Sequence, residues 1–219
     1  MKRIPLGSKS VDDLLGGGIE SGSLTLLYGE AGTGKTNICL QMARNVLQEG
    51  KKVALIDCEG ISYDRVDQIF NSEELLKKLL VFQVHSFEEQ SDRVTKVARM
   101  AEATDTLGLI IVDSLTVFYR LNHDDPLVRN DFIRQTELLT ETARKTNVPV
   151  IVTSQVYSNM NLGGIEFLGG HTLRHNAKTI LRLEPRGKGV RSVVIIKHRS
   201  LPEGRNATYR ITETGIADL

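Results

Sequence analysis

The sequence has no tryptophan, and Phe, Trp and Tyr together make up only 5% of its 219 positions, so few aromatic rings are available as stacking surfaces. Its two cysteines, Cys39 and Cys58, fall in a predicted helix and at a predicted strand end. That spacing argues against both a disulfide framework and a zinc site, and the expectation is reduced thiols in a cytoplasmic protein. No apolar run approaches the length that spans a bilayer, and Met1-Lys2-Arg3-Ile4-Pro5 has no apolar signal-peptide core, so no membrane partner is expected. Charge of one sign is missing too: the formal net charge is +1, and the total says nothing about nucleic acid. What is present, 40% hydrophobic and 25% charged residues, suits one domain over 1–219 with a proper core.

One stretch stands out from this ordinary composition. Gly29-Glu30-Ala31-Gly32-Thr33-Gly34-Lys35-Thr36 fits G-x-x-x-x-G-K-[ST] without a mismatch. The apolar run Leu24-Thr25-Leu26-Leu27-Tyr28 precedes it, and a helical pattern over 35–48 follows, with Ile38, Met42 and Val46 on one face. Glycines let such a loop turn its N–H groups onto an anion, and the helix N-terminus adds positive potential. Lys35 is expected on the β- and γ-phosphates and the Thr36 hydroxyl on Mg²⁺, with Asn37 next to the bound nucleotide. The stretch predicts a site for a nucleoside triphosphate.

The remaining chain alternates strands and helices. Apolar runs at 53–57, 80–84, 109–114 and 148–155 read as parallel strands buried on both faces. Helices are expected over 61–79, with a break at Asn71-Ser72, and over 87–105 and 127–146. At the start, Ser10 is the expected cap of a short helix that Gly16-Gly17-Gly18 ends. Residues 157–170, rich in Asn and Gly and free of Lys and Arg, read as a loop. Segments 179–184, 191–197 and 207–211 then look like an antiparallel extension of the sheet. The fold class is α/β, with a mainly parallel central sheet flanked by helices.

A bound triphosphate needs a metal acid, and Asp113, at the end of a hydrophobic strand, fits that role. Glu59 lies at the strand edge where ligands of open α/β sheets gather and is a candidate base for the attacking water. Gln155, ending the strand before the 157–170 loop, is a candidate sensor of the γ-phosphate. From position alone, Glu59 reads equally well as a helix-capping or solvated loop acid, and Gln155 as a polar residue at a strand end.

In sequence order, further landmarks join the cradle: Gly7-Ser8-Lys9-Ser10-Val11-Asp12, Asp57-Cys58-Glu59-Gly60, Ile111-Val112-Asp113-Ser114, Ser154-Gln155-Val156, Gly169-Gly170-His171 and Leu201-Pro202-Glu203-Gly204. With them the chain resembles the RecA-like P-loop ATPase core of the RecA/RadA recombinases, most closely their short archaeal RadB-type paralogues. The resemblance implies ATP and Mg²⁺, water activation by Glu59, and a link through Gln155 to a DNA-binding loop. It also implies departures. The relatives that exchange strands carry a separate N-terminal DNA-binding domain, and here the core is expected by itself. The recombinases place an adenine-stacking arginine just after the acid; here Tyr63 or Arg65 offers the flat face. Lys197 and Arg199, in Lys197-His198-Arg199, resemble a pair that reaches a neighbour's γ-phosphate in trans, which would require a homo-oligomer.

Residues 171–199 hold eight Lys and Arg against the single acid Glu184, a net of +7 suited to DNA phosphates. Arg174, Lys178, Arg186, Lys188 and Arg191 are the DNA candidates there. Tyr119 and Arg120 open one expected DNA loop, and Tyr157 and Phe167 are candidates for base stacking in the other. Taken together, these features predict an ATP- and DNA-binding accessory protein of homologous recombination and repair. The expected properties are weak hydrolysis and regulation of a full-length RadA-type recombinase. The alternative is an efficient DNA-dependent ATPase that acts directly as a recombinase.

Overall fold

The computed structural model describes residues 2–159 and 164–219. The chain opens with β1 (Arg3–Ile4), α1 (Lys9–Leu14) and β2 (Ile19–Glu20), and β1 and β2 pair antiparallel as a small separate sheet. There follow β3 (Leu24–Gly29), α2 (Lys35–Gln48), β4 (Lys52–Asp57), α3 (Tyr63–Phe70), α4 (Glu73–Leu76) and β5 (Leu79–Gln83). Next are α5 (Phe87–Ala103), β6 (Leu107–Asp113), a 3-10 turn at Tyr119–Leu121, α6 (Pro126–Thr146) and β7 (Val150–Ser154). A hairpin, β8 (Val156–Asn159) and β9 (Gly164–Phe167), leads to α7 (Gly170–Asn176). The chain closes with β10 (Thr179–Gly187), β11 (Val190–His198), β12 (Asn206–Thr212) and β13 (Gly215–Ala217).

The large sheet has the order β13-β12-β11-β10-β3-β7-β6-β4-β5. Strands from β10 to β5 run parallel, and pairing reverses from β10 outward. The apolar run of β6 shows why these strands are central. Leu109 and Ile111 enter the core under α2 and α3, while Ile110 and Val112 enter the core under α5 and α6. Each of these fully buried side chains contributes on the order of 2 kcal/mol. A helix on either face therefore has an apolar surface to cover, and β3 is held in the middle of the sheet.

Three local readings change. The N-cap of α1 is Ser8, not Ser10, and the capping comes from the far end of the chain. Asp218 accepts the Lys9 and Ser10 amides at 3.0 and 2.9 Å and the Ser8 hydroxyl at 2.7 Å. Residues 157–170 are not a plain loop: β8, β9 and the start of α7 are formed there, while 160–163 lie outside the described residues. The antiparallel extension begins one strand later than expected, because β10 still runs parallel to β3 and the chain turns back only at Gly187-Lys188-Gly189. The break at Asn71-Ser72 is where the sequence puts it, with Asn71 left-handed and Ser72 accepting the Leu75 amide at 3.3 Å. Among the described residues no helix is long and apolar enough to cross a membrane.

Candidate functional site

β3 is buried along its whole length, so the sheet fixes the point where the chain enters the phosphate cradle. Gly34 has φ +101 and caps α2, a left-handed conformation that a side chain resists. Its open side faces Ile211, whose Cδ1 would lie 3.2 Å from an added Cβ. The cradle is braced from β12 as well, because the Tyr209 hydroxyl donates to the Thr33 carbonyl at 2.7 Å. Burial pushes the Tyr209 phenol up, which keeps it a donor. Lys35 lies over the loop and donates to the Gly29 and Glu30 carbonyls at 2.8 and 3.1 Å. Burial lowers its ammonium, and Asp113 and Glu59 oppose that shift.

Asp113 ends β6 next to Asp57, its register partner on β4. It is 5% exposed, and its oxygens accept from Thr153 Oγ1 at 2.5 Å and Thr36 Oγ1 at 2.7 Å. Burial raises its carboxyl above the ordinary range, and the two hydroxyls pull it back. Thr36 and Asp113 thus present adjacent hard oxygen donors, the kind Mg²⁺ takes. No group of three or more His, Cys, Asp or Glu able to hold a metal occurs among the described residues. That donor set suits an ion shared with phosphate oxygens rather than a cage built by the protein alone.

Sequence reading missed Asp57, Thr116 and Thr153. Asp57 accepts the Gly60 and Ile61 amides at 2.9 Å each and the Glu59 amide at 3.3 Å, so one carboxylate shapes the turn that carries Glu59. An aspartate at a strand end with a glycine three residues on, as in Asp57-Cys58-Glu59-Gly60, is an Asx-turn signal, and it was available in the sequence. Glu59 and Gln155, 96 positions apart, meet here: the Gln155 amide donates to Glu59 Oε1 at 3.2 Å. The Thr116 hydroxyl accepts the Gln155 backbone amide at 3.1 Å, and the Leu168 amide donates to the Gln155 carbonyl at 3.2 Å. The buried Oε1 of Gln155 finds no partner among the described residues.

The two adenine candidates do not converge. Tyr63 is 65% exposed and its phenol oxygen accepts from Gln83 at 2.9 Å. Arg65 turns the other way and spends its N–H groups as a clamp. It donates to Asn37 at 2.6 Å, to Gln68 at 2.9 Å, and to the Thr212 and Glu213 carbonyls at 2.7 and 2.6 Å. Arg65 therefore ties α2 and α3 to the turn between β12 and β13.

A family model described as Rad51 matches residues 1–219. The chain belongs to the Rad51 family. It is 43% identical over 214 residues to the DNA repair and recombination protein RadB of Methanococcoides burtonii, covering 95% of this chain and 94% of that one. The protein of the same name from Archaeoglobus fulgidus is 39% identical, with 97% of each chain covered. Among solved structures, the crystal structure of the RadB recombinase superposes with a TM-score of 0.85 at 36% identity, over 99% of each chain. The architecture is that of a RecA-like recombinase core, mainly parallel at its centre with antiparallel C-terminal strands.

Within this Rad51-family fold the basic segment is less free than its charge suggests. Arg182 and Arg186 both pair with Glu184, at 2.7 and 2.9 Å. Arg174 lies 3.7 Å from Glu166 and over the Phe167 ring. Arg199 approaches Glu20 to 2.9 Å, and Arg3 approaches the other Glu20 oxygen to 3.2 Å. The Arg199 contact is ionic, without the alignment of a hydrogen bond. Lys197 donates to the Arg174 and Ala177 carbonyls at 2.5 and 2.8 Å, and burial lowers its ammonium, with Lys178 and Arg174 adding to the shift. The two cations read as reaching a neighbour are both engaged within this chain. Arg191 sits on the cradle, donating to the Gly32 carbonyl at 3.2 Å. Lys178 and Lys188 are exposed, with no ion pair among the described residues.

One stacking candidate is corrected. Phe167 is 1% exposed and packs on Tyr28 at 5.0 Å between ring centroids, so it offers no face to a base. Tyr119 stacks on Phe132 at 4.1 Å, which covers one of its faces. Tyr157, 47% exposed and opposite Glu166 in the hairpin, and Arg120 remain at the surface.

Proposed function

We propose that residues 1–219 act as one RecA-like ATPase domain of a cytoplasmic, RadB-type DNA repair and recombination protein. In this reading it binds ATP and DNA, hydrolyses ATP slowly, and regulates a full-length RadA-type recombinase. The observation that carries the reading is the 3.2 Å hydrogen bond from Gln155 to Glu59. A carboxylate held by an amide is a restrained base, which supports slow turnover. The same glutamine immediately precedes the β8–β9 hairpin, so whatever displaces its side chain acts next to both the base and the hairpin. The relatives' names as DNA repair and recombination proteins support the setting.

In this scheme Lys35 leaves the Gly29 and Glu30 carbonyls for the β- and γ-phosphates, and the cradle's N–H groups take the remaining oxygens. Thr36 and Asp113 would hold Mg²⁺, whose charge offsets that of the phosphate oxygens. Glu59, once free of Gln155, accepts the proton of the attacking water, and Gln155 carries the change to the hairpin. Self-association would let Lys197 and Arg199 act in trans only after they exchange their present carbonyl and Glu20 partners.

The test is ATPase rate and molecular mass measured together, with and without DNA, for the protein and Lys35→Ala. Slow, DNA-stimulated hydrolysis that Lys35→Ala abolishes, with strand exchange only when RadA-type recombinase is added, is the expected result. Hydrolysis unchanged by Lys35→Ala would place the site elsewhere. Efficient strand exchange by this protein alone would overturn the accessory role.

A further inference from the structure

Arg191 stands apart from its basic neighbours. Arg182 and Arg186, on the adjacent strand, share the carboxylate of Glu184. Arg191 has no ion pair among the described residues, and its one hydrogen bond there runs from Nε to the Gly32 carbonyl, at the tip of the phosphate cradle. Its position is set by the sheet: Arg191 on β11 is the register partner of Tyr209 on β12, whose hydroxyl takes the next carbonyl, that of Thr33. Two cross-strand neighbours on one face thus hold two consecutive carbonyls of the cradle. In a trans peptide the N–H points opposite the carbonyl, so the Thr33–Gly34 amide is turned away from Tyr209 by this brace.

The chemistry of arginine gives the rest. With Nε on Gly32, the two terminal nitrogens keep four N–H donors in the planar fork that suits phosphate oxygens. A cation fixed at a loop built for anions, without an acid to neutralise it, has an anion as its natural partner. We infer that Arg191 is a nucleotide-binding residue of this chain: Nε holds the cradle and the terminal N–H groups bind the phosphate chain of the nucleotide. The inference rests on the ATP-site reading above and moves Arg191 from the DNA candidates to the nucleotide site.

The experiment compares the protein with Arg191→Ala, Arg191→Lys and Lys35→Ala. It measures affinity for Mg²⁺-ATP and Mg²⁺-ADP by calorimetry, the ligand-free melting temperature, and DNA affinity without nucleotide. Arg191→Ala is expected to weaken both nucleotides roughly tenfold to a hundredfold, the range for losing hydrogen bonds between charged groups. Arg191→Lys should recover part of this as a point charge without the fork, and DNA affinity should hold. Unchanged nucleotide affinity in Arg191→Ala would overturn the inference, and a lowered melting temperature alone would then make the residue a loop clamp. Lost DNA affinity with nucleotide affinity intact would return it to the DNA surface and also overturn it. Should Arg191→Ala fail to fold, full ATP and ADP affinity in Arg191→Lys, melting normally, would count against the phosphate fork. Failure of the parent reading looks different: the unaltered protein itself would then bind no ATP. A protein that binds ATP, loses it in Lys35→Ala and keeps it in Arg191→Ala sinks only the present inference.

Discussion

Asp113 shows what a buried carboxylate costs a fold. It is 5% exposed, and burial raises its carboxyl above the ordinary range because two threonine hydroxyls replace water only in part. The native state therefore takes up a proton there more readily than the unfolded chain does. The burden of the charge is present above the raised value and is relieved as pH falls toward the ordinary carboxylate range. Asp113→Asn removes the charge and keeps the shape. It should raise the ligand-free melting temperature by about 2–4 °C, the shift that about 1 kcal/mol gives in a chain of this size. It should also abolish the rise that Mg²⁺-ATP produces in the parent. A lower ligand-free melting temperature would mean that the carboxylate's contacts with Thr36 and Thr153 outweigh its desolvation. Glu59 plays a different part, since it does not contact the cradle's hydroxyls. Glu59→Gln should slow hydrolysis by roughly a hundredfold or more while ATP still binds, which single-turnover rates and calorimetry separate.

At the scale of elements, what could be read in the sequence was local. The cradle, the strand before it and the helix after it are contiguous, so glycine placement and apolar periodicity revealed them together. Contacts across long separations were invisible for a plain reason: nothing in Arg65 announces the Thr212 and Glu213 carbonyls 147 and 148 positions away. The partners of Arg191 and Asp218 and the burial of Phe167 were hidden in the same way. Exposure and partner are properties of the sheet order, and a charge run or an aromatic in a glycine-rich stretch does not reveal them. Asp218 is the clearest case. The Ser10 amide, with the Ser8 and Ser10 hydroxyls and the Lys9 amide, holds its carboxylate below the ordinary range. Its contribution is complete at neutral pH and is lost as pH falls through that depressed value. Asp218→Ala should speed amide exchange at Lys9 and Ser10 at pH 7, and in the unaltered protein the same amides should lose protection in strong acid. Equal protection in Asp218→Ala and parent at pH 7 would show that α1 holds its position without the C-terminus. Tyr209→Phe is the matching test at the cradle. It should cost about 1 kcal/mol of stability and weaken ATP binding through the freed Thr33 carbonyl.

Over the whole molecule the question is how much of the +7 between residues 171 and 199 reaches DNA. Binding to phosphates releases counterions in proportion to the protein cations engaged, so the salt slope counts them. If the full net charge acted, log K against log salt would fall with a slope of roughly −5 on single strands and −6 on duplex. Most of the cations behind that charge already have partners in the folded chain: Arg182 and Arg186 share Glu184, Arg199 meets Glu20, Lys197 holds two carbonyls and Arg191 holds the cradle. Lys178, Lys188 and Arg120 remain exposed, with Arg174 joined to Glu166 only by a long 3.7 Å contact. Three or four cations predict a slope of roughly −2 to −3 on single-stranded DNA, measurable by fluorescence anisotropy between low and moderate salt. Lys178→Ala and Lys188→Ala should each flatten it by somewhat under one unit, whereas Arg182→Ala should leave it nearly unchanged. A measured slope near −5 would mean that the ion pairs on Glu184 and Glu20 open when DNA binds. The basic C-terminal strands would then be a reserve of charge that DNA draws out, and Lys197 and Arg199 would be released by the same event that loads the protein onto its substrate.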